Sequence, residues 1–182
     1  MTLATIMKLA MRQLDETEAD LSEYEELFRH YANMGYRIAL KEYFKPRLTM
    51  ELESDAYGDV KLEDQRIGRI IEVRDKMDRR MPFAMDADGE TLHIGACWET
   101  VRVLCEYDYP PMKDSLSSPL LPEYAQPALA DYICYRHLSS GSLAKQSRAE
   151  FFKSSFYEQM RAIRPMADGS VKEMRNLYAA TR

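Results

Sequence analysis

Glycine is scarce in this chain, with 7 among 182 residues. Little material is therefore available for the loops that cradle phosphates, and no Walker-type lysine loop, dinucleotide fingerprint or nucleophile elbow occurs. Cysteine is scarce too. Cys97, Cys105 and Cys134 are an odd number without framework spacing, which suits a reducing compartment better than a disulfide scaffold. No apolar run approaches the roughly 20 residues that a membrane span needs. Lys8 and Arg12 interrupt the stretch from Met1 to Leu14, so neither a signal peptide nor a membrane anchor is expected. A basic excess is also missing: the formal charge of −5 argues against a dedicated duplex-binding face.

What is present is ordinary globular material, 46% hydrophobic and 30% charged, in a length that fits one compact domain or one domain with an inserted sub-domain. Charge is unevenly spread. Asp15 to Glu26 holds seven acids and no base, whereas Lys145 to Arg182 holds eight bases against four acids. These are either solvated faces or complementary ends that meet neighbouring subunits.

Periodicity divides the chain into helix, strand and helix again. Thr2 can cap a short helix with the stripe Leu3, Ile6, Met7, Ala10 and Leu14. Asp20 and Glu23 resemble a capping box for a longer helix. Leu21, Tyr24, Leu27, Phe28, Tyr31, Met34 and Ile38 keep its period as far as Phe44, before Pro46. That helix would be about 37 Å long, more than a small core requires, so part of it is expected to meet another chain or project.

After Pro46 the period becomes alternating. Leu48, Met50 and Leu52 share a face, a turn follows at Tyr57, Gly58 and Asp59, and Ile67, Ile70, Ile71 and Val73 form a β-branched run. Pro82–Met85 and Thr91–Ile94 flank an Asp86-Ala87-Asp88-Gly89 turn, and Thr100–Tyr107 places Val101, Val103, Cys105 and Tyr107 on one face. Four or five short strands are expected. A linker rich in Ser and Pro leads to an αα-hairpin over Leu121–Ile163. Its stripes are Leu129, Tyr132 and Ile133, then Ala149, Phe152, Phe156, Met160 and Ile163. Between them Ser139-Ser140-Gly141-Ser142 offers a left-handed stop and a hydroxyl N-cap. Pro165 to Arg182 has no strong stripe and reads as a tail.

The expected fold class is therefore α+β, mainly α. Residues 1–163 form a single domain: a helical bundle of two N-terminal helices and a C-terminal hairpin, with a small antiparallel sheet inserted at about 47–108. An extended tail follows over 164–182.

Chemistry-bearing constellations are weak. His93 with Cys97 and Cys134 with His137 could be combined into a zinc site, but the spacing is irregular and satisfied or buried residues are the simpler reading. Acidic pairs such as Asp15-Glu16 and Glu25-Glu26 sit on polar stretches without the burial that tunes a catalytic carboxylate. Trp98 reads as a core anchor or a loop lid. No catalytic residue, metal or cofactor is assigned.

The excess lies in tyrosine and methionine, 12 of each, and tyrosine is enriched in interface cores. Tyr24, Tyr31, Tyr36 and Tyr43 lie around more than one face of the long helix and are the candidate subunit-interface residues. A regulatory or toxin-neutralising binding module forming a small oligomer would share these features.

The element order, the exit strand "VRVLCEYDYPP", and the segments "LPEYAQPALADYICYRHLS" and "SRAEFFKSSFYEQM" resemble the head-to-tail adaptor (connector) proteins of tailed bacteriophages. The similarity covers roughly Met1 to Ile163 and rests on packing motifs; the strand region departs most. It implies a structural virion protein without enzymatic activity, assembled in the host cytoplasm and resident in the virion neck. Such proteins form a ring, typically dodecameric, that docks under the portal vertex, extends the DNA channel, helps retain packaged DNA and receives the tail or further neck proteins. DNA would slide through the lumen without sequence-specific binding, and no membrane is involved. The segment that reaches the portal in that family would here be Pro165–Arg182, with Arg164, Lys172, Arg175, Tyr178 and Arg182 as contacts.

Overall fold

The computed structural model describes residues 1–16, 21–62, 66–95 and 100–163. The architecture is α+β, with four α-helices and small antiparallel sheets among the described residues. The described residues divide into a helical unit, built from residues 1–44 and 110–163, and a β unit over 45–109.

In the helical unit, α1 (Leu3–Gln13) starts at Thr2, whose backbone is extended and whose hydroxyl oxygen accepts the Thr5 N–H at 3.3 Å. The expected stripe is buried from Leu3 to Leu14. The Ser/Pro-rich segment after the β unit is no passive linker. Ser117 and Ser115 carbonyls accept the N–H groups of Leu3 and Ala4 at 2.8 and 2.9 Å, filling donors that a helix start leaves open. Asn33 anchors the same segment by exchanging two hydrogen bonds with the Met112 backbone.

The second helix, α2 (Leu21–Ile38), buries Phe28, Ala32, Gly35 and Tyr36 and runs on into a π-helical turn, Ala39–Phe44. Residues four apart drift around an α-helix, and the wider turn keeps Tyr36, Leu40 and Phe44 all buried. Lys45, at a left-handed φ of 46°, ends it. The proposed Asp20 cap lies outside the described residues.

Pro127 opens α3 (Ala128–Leu138), which is buried on nearly every side because α1, α2 and α4 (Leu143–Arg161) all pack on it. Close approach of α2 depends on Gly35: a Cβ there would sit 2.9 Å from the Tyr132 ring. Every residue of the expected α4 stripe, Ala149 through Ile163, is buried.

The loop between α3 and α4 corrects one expectation. No left-handed residue stops α3, since Ser139 stays right-handed at φ −60° and ψ −27°. Its hydroxyl instead donates to the Tyr135 carbonyl at 2.5 Å, and Gly141 N–H donates to Leu138 at 3.1 Å. Ser142 occupies the N-cap position of α4 without a side-chain bond.

Among the described residues the β unit holds seven strands rather than four or five: β1 (Arg47–Glu53), β2 (Asp59–Lys61), β3 (Ile67–Arg74), β4 (Arg80–Met81), β5 (Ala84–Met85), β6 (Thr91–His93) and β7 (Thr100–Tyr107). They form an antiparallel sheet of order β1-β7-β3-β4 and a second of order β2-β6-β5. Both contribute to one core, in which Val60 and Leu92 meet Ile70, Val73, Val101, Val103 and Cys105. Register shifts in β3 explain why Ile70 and Val73, three apart, both face inward.

Three turns repeat one device. Asp55, Asp75 and Asp86 each accept at their carbonyl the N–H three residues on, from Gly58, Asp78 and Gly89, and those three residues have φ between 68° and 82°. The side chains of Asp55 and Asp75 also take two backbone N–H groups each, at 2.8 and 2.9 Å. These bonds, led by Asp59 N–H for Asp55 and Arg79 N–H for Asp75, hold both carboxyls below their ordinary range.

Candidate interaction surface

A strip of rings and cations crosses three helices of the helical unit. Tyr31 on α2 lies against the Arg136 guanidinium of α3 at 5.8 Å from its ring centroid; the same guanidinium lies 5.9 Å from Tyr135. Tyr135 in turn faces the Lys153 ammonium of α4 at 5.6 Å. Helical spacing explains the placement. Tyr135 and Arg136 sit in the last turn of α3 where burial gives way to half-exposure, and Lys153 flanks the buried Phe152. Tyr157, one turn on, belongs to the same neighbourhood: burial raises its hydroxyl first, and the charge of Glu42 and the nearness of Tyr43 and Tyr135 add to the rise.

The cations in this strip are not equivalent. Lys153 is already paired with Glu150 at 3.2 Å, which raises its pKa. Elsewhere Arg148 meets Asp15 at 3.1 Å, Arg79 meets Asp75 at 2.8 Å, and Arg102 meets Asp78 at 2.6 Å. Arg74 and Arg80 share Glu72 at 2.8 and 2.5 Å; burial would raise that carboxyl, but the two arginines more than offset it and hold it low. Arg136 differs, because its Nε is buried and has no hydrogen-bond partner among the described residues. A guanidinium cushioned on two rings, its fork unused, is ready for a planar anion.

The four tyrosines singled out from the sequence separate. Tyr31 joins the strip. Tyr24 is half-buried, stacked on Phe28 with centroids 5.5 Å apart and edge-on to His137, and Tyr43 is half-buried near Tyr157. Tyr36 is a correction. It is 5% exposed and its hydroxyl accepts the Leu120 N–H at 3.1 Å, so it belongs to this chain's own core. Arg164, Lys172, Arg175, Tyr178 and Arg182 lie outside the described residues, as do Cys97 and Trp98.

The other chemistry considered from sequence has structural uses. Cys134 is buried against the Ala10 carbonyl and Gln13, and its thiol is pushed up to about 12, chiefly by burial with the Asp131 charge adding. That makes it a poor thiolate. His137 packs edge-on against Phe28, and burial lowers its pKa. In the β unit His93 lies between two carboxylates, Nδ1 2.5 Å from Asp59 and Nε2 2.8 Å from Asp86. Among the described residues no three His, Cys, Asp or Glu gather to hold a metal, and no helix is long and apolar enough to cross a membrane.

Apolar side chains also face outward on α4, where Leu143 is 83% and Phe151 69% exposed. Sequence reading passed over Tyr135, Arg136 and Lys153. Their one signal was a tyrosine off the buried stripe with a base beside it. The chain matches no protein-family model and no curated protein.

Proposed function

We propose that this chain is a structural ring protein of a bacteriophage neck, which joins the portal vertex of the head to the tail and extends the DNA channel. The observation that carries this reading is the strip of half-exposed tyrosines and cations across α2, α3 and α4. Tyr and Arg are the residues that dominate binding energy at protein interfaces. The exposed Leu143 and Phe151 of α4 support it further. So does the segment-by-segment resemblance of Leu121–Ser139 and Ser147–Met160 to neck adaptors. The acid excess suits a channel through which DNA slides without sticking. Copies of the chain are the ring neighbours, the portal and further neck or tail proteins are the other partners, and no chemistry is catalysed.

The test is co-purification with the portal of the same phage. The full chain is expected to bind it, whereas a chain lacking Pro165–Arg182 is expected to melt at the same temperature and lose binding. A full chain that does not bind contradicts the neck assignment, and a truncated chain that binds normally contradicts the role given to the tail.

A further inference from the structure

We infer that Arg136, framed by Tyr31 and Tyr135, is a socket for a carboxylate of a second copy of this chain, supplied by Glu23 and Glu26 on the first turns of α2. This rests on the ring reading above and names the pairing that would hold neighbouring copies together.

Two unsatisfied halves lie on one molecule. The socket is cationic, stacked on rings 5.8 and 5.9 Å away, and half-exposed, with a buried Nε that lacks an acceptor among the described residues. The buried Nε is out of reach of another molecule, but the outer Nη edge of the half-exposed side chain has no acceptor among the described residues, and a carboxylate entering there accepts two parallel hydrogen bonds. The two rings lower the dielectric around that pair without supplying a competing charge. The other half is the start of α2. Glu23, Glu25 and Glu26 are exposed, and none takes part in an ion pair among the described residues. They sit at a helix N-terminus, where the backbone dipole favours negative charge, so the acids persist there unpaired.

Within one chain the halves form no ion pair among the described residues. At about 100° per residue, Glu26 lies about 140° around α2 from Tyr31, whereas Glu23 lies only about 80° from it, so Glu26 is the acid turned away from the flank that leads to α3. A patch and its complement on different sides of one protomer make a heterologous contact, the kind that closes into a ring when the rotation between copies permits. Lys153, the other cation of the strip, already has Glu150 and so leaves Arg136 as the acceptor-seeking member.

Sedimentation velocity of the full chain over a range of concentration, up to about 1 mM where even weak pairing registers, tests this. Wild type is expected to self-associate and to do so less at high salt. Arg136→Ala should weaken association by about tenfold or more, as interface arginines do. Arg136→Lys, which keeps the charge but loses the fork, should rescue only part of it. Glu23→Arg with Glu26→Arg touches only exposed helix positions, so its fold is safe, and it should weaken association as much. Combining those two changes with Arg136→Glu should restore association. A wild type that stays monomeric throughout overturns the inference. So does association insensitive to Arg136→Ala, or charge reversals that fail to complement. Rings that form unchanged with Arg136→Ala sink this pairing while leaving the neck reading in place. Association that depends on Arg136 but stops at two copies does the reverse.

Discussion

His93 needs two protons to serve both of its neighbours. With Asp59 and Asp86 on its two ring nitrogens, the imidazolium is favoured, and its pKa rises from 6.5 to about 9, through the Asp86 bond first and the Asp59 bond second. Because the folded value lies above the unfolded one, the stabilisation is fully present below about 6.5 and is lost as pH rises through about 9. The carboxyls of Asp55 and Asp75 act in the opposite sense. Held below 3.8, they stabilise their turns above that value and lose the contribution on acidification. A titration of the His93 ring by NMR should therefore show a midpoint near 9, with high salt drawing it down; a midpoint near 6.5 would mean the bridge is not formed.

Asp131 shows why some residues were illegible in the sequence. A lone acid beside an apolar stripe reads as exposed, yet Asp131 is buried. It accepts Gln13 at 2.9 Å and Ser155 and Gln159 at 2.7 Å each. Its three donors come from α1 and α4, so only the assembled bundle explains it. Asp131→Ala strands those donors and should lower stability of the helical unit by about 1–3 kcal/mol in chemical denaturation.

At the scale of elements, α4 separates two kinds of phenylalanine. Phe156 is fully buried against the Tyr132 ring at 4.9 Å, whereas Phe151 is exposed. Phe156→Ala should cost about 3–5 kcal/mol. Phe151→Ala should leave stability within about 0.5 kcal/mol and act on assembly instead. Gly35→Ala, which pushes a methyl into Tyr132, should cost about 1–3 kcal/mol by denaturant midpoint.

Two helices were legible in full, because the stripes Leu3–Leu14 and Ala149–Ile163 repeat often enough to fix a face; in α2 the expected stripe kept only Phe28, since Leu27 is exposed and the buried face runs through Ala32, Gly35 and Tyr36. Strands β2 and β4, at three and two residues, are too short to show alternation. The repeated Asp turns were half visible, since Asp75 uses Asp78 rather than glycine at the left-handed position. The strip itself was legible only at Tyr31; Arg136 matters through what lies beside it on other helices.

For the whole molecule, the proposed role rests on surfaces. A bundle ordered around α3 presents rings and cations from three helices at once, and the β unit closes its own core around Val60, Val73, Leu92 and Val103. In the proposed ring, the free protomer carries contacts which neighbouring copies complete. Electron micrographs of the full chain mixed with the phage portal that the proposed neck role requires test that most directly. Closed rings of many copies, coaxial with the portal and absent when Arg136 is reversed to Glu, are the expected result. Single copies that neither ring nor join the portal would contradict it.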